Sequence, residues 1–248
     1  MLARRLTFYL FVVVGICILT VGYLLESDRT LYLSHTVKSY YITNFPIQLL
    51  NGIHNSLYHH YSPLRVVFPL NELSFHQKLL KHRDKILQEV DNYSFSQLQE
   101  IGYNASKDIK QFPKSNYHYI RLWFYGYRYP EAQYFPILDS LRRQHPEVRT
   151  MFFSLMSGPK HVPMHRGSYN GAVRYHFPIK GGSDTHLEIL DSVRLSSTRP
   201  FIFDDTYPHS LTKTGKSIRI VLISDVDNQW SPFKSLQFHR YLDYSKKK

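Results

Sequence analysis

The sequence has little cysteine: Cys17 is the single one in 248 residues. One cysteine excludes an intrachain disulfide, and it excludes zinc modules and iron–sulfur clusters that need several thiolates. Acidic residues are also few, since 19 Asp and Glu stand against 31 Lys and Arg and leave a formal net charge of +12. This balance suits an anionic partner, such as a membrane surface, a nucleic acid or an acidic substrate, or simply a basic soluble surface. The 43% of hydrophobic residues excludes a disordered chain.

One long apolar run stands near the amino terminus. Residues 6–25 carry no charge, and at about 1.5 Å per residue the run is long enough to span a hydrocarbon core of about 30 Å. A cleaved signal peptide is the alternative, but its apolar region is shorter and no convincing cleavage site follows the run. We predict a short flank over residues 1–5, a single transmembrane anchor in the lipid bilayer over 6–25, and a membrane-proximal segment over 26–70.

The charges that flank this run bear on its orientation. Arg4 and Arg5 precede it and favour an amino terminus in the cytoplasm, which would place the rest of the chain on the non-cytoplasmic side (type II). Arg29 and Lys38 follow it and reduce that bias. The orientation therefore stays open at the level of the sequence.

Beyond residue 70 a helical pattern gives way to a strand pattern. Residues 72–91 predict a helix with one apolar stripe. From about residue 117, short β-rich runs alternate with Pro, Gly and Asp clusters, and one helix over 135–143 interrupts them; this spacing is typical of a sandwich or barrel. We predict one mainly β domain over residues 71–248, with its core at about 117–228. The helical stripe consists of Leu79, Leu80, Ile86, Leu87 and Val90.

His165 and His209 stand out among the 14 histidines by their context. His165 lies beside a turn-like Arg-Gly-Ser, and His209 lies shortly before a strongly apolar strand. β-rich runs fill the interval, and strands separated in sequence become neighbours in a jelly roll. Because imidazole nitrogen suits iron, copper, zinc or nickel, the two histidines form a candidate metal site.

Arginines in apolar strands point to an anionic ligand. Arg219 lies in the run IRIVLIS, where an unpaired guanidinium would be costly to bury. Arg174 and His176 are two residues apart and share a face of a strand. Such a face beside a metal could hold a dicarboxylate, with one carboxylate on the metal and the other on an arginine. The alternative for Arg219 is a structural ion pair, for which the candidate acids are Asp204, Asp205 and Asp225.

Together, these segments resemble the catalytic core of the aspartyl/asparaginyl β-hydroxylase family, a branch of the Fe(II)/2-oxoglutarate dioxygenases. The matching elements, between Ser154 and Val226, are HVPMHRGSYNGAVRYHFPI, FIFDDTYPHSL and SIRIVLISDV. The wider layout, with its amino-terminal apolar run, is similar to the bacterial lipid A hydroxylases of the same superfamily. The resemblance implies a mainly β fold, a double-stranded β-helix (jelly roll, cupin-like) with flanking helices, preceded by one N-terminal transmembrane helix.

The resemblance also implies roles for single residues. It makes His165 and His209 the two ligands of Fe(II), and Arg219 the partner of the distal carboxylate of 2-oxoglutarate. Asp204 and Asp205 are expected to orient their loop or the ligands rather than to bind iron. The further cosubstrate contacts that the resemblance implies are Arg174, His176, Ser154 and Trp123. For Trp123, core packing is the alternative.

Gly167 departs from the usual iron triad of two histidines and a carboxylate. The carboxylate normally stands two residues after the first histidine, and glycine has no ligand atom there. The peptide-hydroxylating branch of the family also has glycine at this position, whereas the lipid A branch has aspartate. The vacant position leaves room for water or a halide, and loss of activity is a further alternative.

The implied function is hydroxylation of an unactivated C–H bond with Fe(II), 2-oxoglutarate and O₂. A peptidyl Asp or Asn substrate suits the glycine, while the acyl chain of a lipid suits the predicted anchor. Acidic peptides and anionic lipids are both attracted to a basic protein. A catalytically inactive, membrane-anchored binding protein on the same fold is the alternative from another class. No nucleic-acid partner is expected, because no recognised binding motif is present.

Overall fold

The computed structural model describes residues 14–16, 58, 65–104, 117–167 and 171–232. The predicted anchor and membrane-proximal segment therefore lie almost entirely outside the described residues. Across the part of the chain that is described, no helix is both long and apolar enough to cross a membrane.

The helical region after residue 70 contains a break that the periodicity does not reveal. The predicted helix is two helices that meet at His82, whose φ of −104° and ψ of 11° leave the helical range. The apolar stripe is confirmed at most positions, but Leu80 is 43% exposed, because the buried face of the first helix runs through Phe75 and Leu79. The described α-helices are α1 (Ser74–Lys81), α2 (Arg83–Asp91), α3 (Phe95–Ile101) and α4 (Pro136–Gln144).

The β-rich half of the described chain forms two antiparallel sheets. The described strands are β1 (Val67–Phe68), β2 (Tyr103–Asn104), β3 (Tyr117–Phe124), β4 (Tyr127–Arg128), β5 (Val148–Ser157), β6 (Lys160–His165), β7 (Ala172–Lys180), β8 (Thr185–Ile189), β9 (Val193–Ser196), β10 (Phe201–Phe203), β11 (His209–Lys213) and β12 (Ile218–Asp227). The larger sheet has eight strands in the order β1-β10-β7-β12-β5-β3-β2, with β4 paired to β3, and the smaller has the order β6-β11-β8-β9.

The strands β5 to β12 have the connectivity of a jelly roll. Apart from β8 and β9, which form a hairpin in one sheet, consecutive strands of this set alternate between the sheets. As a result, β10, β7, β12 and β5 are neighbours in one sheet, while β6, β11, β8 and β9 are neighbours in the other. This is the closed double-sheet arrangement in which a chain avoids long unpaired edges. The predicted mainly β jelly-roll core with flanking helices is therefore confirmed.

Each face of the large sheet has its own hydrophobic core. On one face the helices pack against side chains such as Leu122, Phe153 and Leu222. On the other face, Met156 and Phe203 pack against Leu211 of the small sheet, and this is the interior of the jelly roll. Because side chains alternate along a strand, every second residue of the large sheet points into this interior.

Strands β6 and β11, which carry the candidate histidines, are among those that apolar periodicity does not detect. The longer predicted strands and the helix near residue 135 are confirmed within a few residues. By contrast, β6 and β11 have the sequences KHVPMH and HSLTK, in which half or more of the residues are polar. Their pairing with each other and with β8 defines them as strands, which the local pattern does not.

Candidate active site

His165 and His209 face each other across paired strands. His165 ends β6, His209 begins β11, and the two are register partners in the small sheet. Their ring centroids are 4.1 Å apart, with the ring planes inclined by 53°. A register shift follows His209 at this point, and such irregularities re-aim side chains beside functional sites. The pair that the sequence singled out is thus brought together by strand pairing.

Hydrogen bonds fix the orientation of both imidazoles in the same way. Nδ1 of His165 lies 2.9 Å from the carbonyl oxygen of Pro163. Nδ1 of His209 lies 2.9 Å from the carbonyl oxygen of Tyr207. A carbonyl can only accept, so each Nδ1 must donate its proton, and in the neutral ring this leaves the lone pair on Nε2. A histidine held at one nitrogen by a carbonyl is the arrangement that orients metal ligands.

Burial keeps both rings neutral. It lowers the pKa of His165 to about 4. Burial, with His165 as the nearest titratable neighbour, also holds the pKa of His209 well below its usual range. A metal competes with protons for the imidazole nitrogen, so at neutral pH both nitrogens are available for a cation. The donor set therefore fits a metal ion that accepts imidazole nitrogen.

Arg219 is a buried cation that has no ion-pair partner in the described part of the chain, although the charge of Asp184 acts on it from a distance. Its side chain on β12 is 0% exposed, and it forms no ion pair with any described residue. Its Nη1 and Nη2 donate to hydroxyl groups at 3.4 Å, on Ser154 and Ser197 respectively. Nη1 also reaches the sulfur of Met156 at 3.8 Å, and Nε has no partner among the described residues. Burial lowers its pKa to about 10, so the guanidinium stays charged at neutral pH. A fully buried, unpaired guanidinium fits the carboxylate of a bound anion.

The acids proposed as structural partners of Arg219 pair with other groups. Asp225 binds Nε of Arg174 at 2.8 Å, and Asp205 binds its Nη1 at 3.0 Å. Asp204 accepts hydrogen bonds from the backbone and hydroxyl of Thr206. The alternative of a structural ion pair at Arg219 with one of these acids is therefore wrong.

Lys213 is a second buried cation in the same interior, and its contacts are those of a residue with a structural role. It lies on β11 and is 1% exposed. Its Nζ is 2.5 Å from Asp184, 2.9 Å from the carbonyl of Gly215 and 3.2 Å from Ser217. Every donor of this ammonium is thus satisfied by protein, in contrast to Arg219. Sequence reasoning missed this pair, since its members are far apart in the chain and carry no motif.

Three of the other cosubstrate contacts that the sequence indicates lie in the interior of the jelly roll. The hydroxyl of Ser154 accepts from Nη1 of Arg219 at 3.4 Å. His176 on β7 points into the same interior. Its ring is 4.7 Å from that of Phe201, at an angle of 38°, and 5.7 Å from that of Phe203, which is in turn 5.2 Å from the ring of His209. Arg174 lies on the same face as His176, where both of its ion pairs are with the protein's own aspartates. The structure thus gathers His165, His209, Ser154, His176, Arg174 and Arg219 on the interior of the jelly roll.

Trp123 is the member of the predicted set that the structure places elsewhere. Its indole nitrogen donates to Asp139 of α4 at 2.9 Å, and Arg142 lies over its ring at 5.0 Å. It packs against the helix-side core. A register shift between Arg121 and Trp123 in β3 moves the indole to this face, whereas strict alternation would have pointed it inward. The described contacts of Trp123 are therefore those of core packing.

The space beside Gly167 is filled by a carboxylate from another strand connection. A Cβ atom at this glycine would overlap the carboxylate of Asp205, and the Gly167 amide donates to the Asp205 carbonyl at 2.6 Å. Burial raises the pKa of Asp205, while Arg174 opposes that effect. The Asp205 carboxylate thus occupies the space that a side chain at position 167 would enter. Among the described residues, however, no three His, Cys, Asp or Glu side chains form a cluster that could hold a metal ion. Sequence reasoning found Asp205 and could not find this contact.

Substitution of Gly167 by alanine is expected to destabilise the site. The added methyl must displace the Asp205 carboxylate, and overpacking of this kind lowers the free energy of unfolding by about 1–3 kcal/mol. Chemical denaturation of both proteins measures the change. In the double variant Gly167→Ala/Asp205→Ala the overlap is gone, so the effect of the alanine at 167 should largely vanish. Equal effects of Gly167→Ala in both backgrounds would contradict the overlap.

Taken together, the fold and site define a jelly-roll protein whose interior holds a pair of neutral histidines and an unpaired buried arginine. The family model for aspartyl/asparaginyl β-hydroxylase matches residues 80–229, which is more than half of the chain. The chain belongs to this family, as the sequence motifs predicted.

Individual relatives match over shorter stretches. The ornithine lipid ester-linked acyl 2-hydroxylase of Rhizobium tropici is 31% identical over 84 residues, which are 32% of this chain and 30% of that enzyme. The chain thus spans about a third of the length of that curated relative. Among solved structures, the Schizosaccharomyces pombe Cnp3 cupin domain is 9% identical with a TM-score of 0.32, over 49% of this chain and 73% of that one. An oxalate oxidase is 16% identical with a TM-score of 0.30, over 46% and 53%.

Proposed function

We propose that this protein is an Fe(II)- and 2-oxoglutarate-dependent hydroxylase that acts on an unactivated C–H bond. The observation that carries the proposal is the buried, unpaired guanidinium of Arg219 in the same interior as the two neutral histidines. A dicarboxylate that reaches from the histidines to Arg219 would supply the missing counter-charge. Membership of the hydroxylase family supports the same reaction.

The side chains present divide the work between them. His165 and His209 would hold Fe(II) through Nε2, and Arg219 with Ser154 would bind the distal carboxylate of 2-oxoglutarate. The metal and the cosubstrate, when bound, supply the oxidising power for the C–H bond. Arg174, which pairs with Asp205 and Asp225, holds the Asp205 carboxylate in place beside Gly167. The apolar rings of Phe201 and Phe203 exclude water from this side of the site.

For the substrate, we favour the acyl chain of a membrane lipid. The Rhizobium tropici relative is by its name a hydroxylase of a lipid acyl group, and the apolar run over residues 6–25 would hold the domain at a bilayer. We infer that this run is a single membrane anchor. A peptidyl Asp or Asn is the second candidate, and the glycine at position 167 favours it, because the peptide-hydroxylating branch has glycine there.

Two measurements on the full chain test the reaction. Under anaerobic conditions, Fe(II) and 2-oxoglutarate together should give the metal-to-ligand charge-transfer absorption of a bound chelate, which neither gives alone. In air, turnover should release succinate in amounts that match the product. If neither the absorption nor the succinate is observed, the proposed reaction is wrong and an inactive binding protein is favoured.

The substrate class is decided by where the new oxygen atom appears. Full-length protein in lipid nanodiscs is incubated in air with Fe(II) and 2-oxoglutarate, either alone or with an Asp- and Asn-containing peptide library. We expect a mass increase of one oxygen atom in the extracted lipid acyl chains. The same increase in the peptides, with the lipids unchanged, would replace the lipid by a peptidyl substrate. The His165→Ala variant is the blank for both arms.

A further inference from the structure

Arg121 on β3 is a second cation on the interior-facing side of the large sheet. Its neighbour Leu122 is buried in the helix-side core, while Tyr119, two residues before Arg121, packs in the interior. Alternation therefore points Arg121 into the interior. It is the register partner of Phe152 on β5, whose ring contacts Tyr119 at 5.7 Å. The proposed reaction does not use this arginine.

The guanidinium of Arg121 is held by rings rather than by acids. It lies over the ring of Tyr129 at 4.7 Å and that of Tyr103 at 5.1 Å. It forms no ion pair with a described residue, and its Nε is buried without a partner in that part of the chain. The other half-buried arginines nearby differ, since Arg128 pairs with Asp139 and Arg149 with Asp227.

Stacking on aromatic rings covers the faces of a guanidinium and leaves its edge for hydrogen bonds. A planar edge of N–H donors matches the oxygens of a carboxylate or phosphate. Because the rings hold Arg121 in place, little side-chain entropy is lost when such an anion binds. The edge of Arg121 is therefore suited to an anionic group that comes from outside the chain.

The register of the sheet fixes the separation between this arginine and the histidines. Arg121, Phe152, Ile223 and His176 are successive register partners across β3, β5, β12 and β7. Three strand spacings of about 4.8 Å each separate Arg121 from His176, or roughly 14 Å. His176 lies beside the ring of Phe203, which contacts His209. An anion on Arg121 thus belongs to a different part of the bound molecule from the carbon at the histidines.

We propose that Arg121 binds the anionic headgroup, a carboxylate or phosphate, of the lipid whose acyl chain is hydroxylated. This inference rests on the proposed function and identifies its substrate as an acidic lipid. Arg121 acts as a positioning and specificity residue: it selects the molecule and sets the distance from headgroup to oxidised carbon. The apolar side chains of Phe152 and Ile223, between the two ends, suit the acyl chain.

Protection from phenylglyoxal, which reacts with accessible guanidinium groups, tests this without turnover. Full-length protein is labelled in nanodiscs of neutral phosphatidylcholine, in nanodiscs containing phosphatidylglycerol, and in neutral nanodiscs with an acidic peptide, and the labelled sites are mapped by mass spectrometry. Saturating 2-oxoglutarate is present throughout to occupy Arg219. We expect phosphatidylglycerol to slow labelling of Arg121 about tenfold, as occupancy near nine-tenths would. Exposed Arg83 on α2 is the internal control and should label equally in all arms.

The other outcomes of this labelling either overturn the anion site or separate it from the proposed reaction. Equal labelling of Arg121 in all arms, or no labelling of it in neutral lipid, overturns the anion site. Protection by the acidic peptide alone overturns the lipid and assigns a peptide instead. If phosphatidylglycerol protects Arg121 while no succinate forms under any condition, the anion site stands and the proposed reaction fails.

The kinetic counterpart uses Arg121→Gln with Arg83→Gln as the matched control. Loss of a charge-assisted hydrogen bond should raise KM for the acidic lipid about tenfold, with kcat and the KM for 2-oxoglutarate changed less than about twofold. Arg121→Lys keeps the charge but loses the planar edge, so its KM for the acidic lipid should lie between that of the parent protein and that of Arg121→Gln. An unchanged lipid KM in Arg121→Gln, or an equal loss with a neutral lipid substrate, would show that the arginine is merely structural.

Discussion

Replacement of His209 by alanine is expected to abolish iron binding and hydroxylation, and His165→Ala should do the same. With two protein ligands, the loss of either leaves one imidazole, which cannot hold the metal in a defined geometry. Both rings are neutral and already oriented by carbonyl groups, so each variant removes a prepared ligand rather than a mobile one. Anaerobic titration with Fe(II), followed by equilibrium dialysis, measures the loss.

A third histidine on the same strands provides the control. His161 is the register partner of Thr212 across β6 and β11, and its Nδ1 lies 3.1 Å from that hydroxyl. It is exposed on the outer face of the small sheet. His161→Ala should therefore bind iron as the parent protein does. Because His209 is buried, circular dichroism must show that His209→Ala is folded, and His209→Gln provides a variant with a smaller cavity. Full iron affinity in a folded His209 variant would contradict the assigned site.

The second large effect is expected for Arg219→Met, which should raise the free energy of unfolding of the ligand-free protein and weaken the binding of 2-oxoglutarate. Arg219→Met removes a buried charge that has no counter-charge among the described residues, so the free energy of unfolding without ligand should rise by about 1 kcal/mol. The same variant loses the partner of the distal carboxylate. Truncation of one member of a buried charge pair costs about 2–5 kcal/mol, which corresponds to a rise in the KM for 2-oxoglutarate of between about 30-fold and several thousandfold.

Lys213→Met is the comparison that separates the two kinds of buried cation. Lys213 has a paired acid in Asp184, so its removal leaves a carboxylate without its partner and should lower stability by about 3–5 kcal/mol. Urea denaturation of the parent and both variants measures these changes, and the 2-oxoglutarate dependence of succinate formation measures the KM. If Arg219→Met destabilised the protein as Lys213→Met does and left the KM unchanged, Arg219 would have a structural role.

The stability increase expected for Arg219→Met has a functional meaning. Natural proteins retain destabilising groups where binding requires them. In this interior, the Asp184–Lys213 pair shows that the fold can supply an acid to a buried cation. The lack of one for Arg219 among the described residues therefore marks a place where a ligand completes the structure. Binding of 2-oxoglutarate should accordingly raise the melting temperature of the parent protein and not that of Arg219→Met.

Much of this site follows from the sequence by itself. The motifs around His165 and His209 identify the family, and the β-rich runs predict about half of the described strands and the mainly β class. The composition, with one cysteine, required any metal site to be built from other side chains. These properties are local, because a strand's alternation or a motif's spacing is written in consecutive residues.

The tertiary structure decided what depends on register between distant strands. The pairing of Arg174 with Asp205 and Asp225, which leaves Arg219 unpaired, joins residues far apart in the chain, and no local pattern encodes it. A single register shift in β3 moved Trp123 to the helix-covered face, because one residue of slip exchanges the two faces of a strand. The contact of Asp205 with Gly167 likewise arises where two strand connections meet, so the location of this carboxylate beside Gly167 is a property of the fold alone.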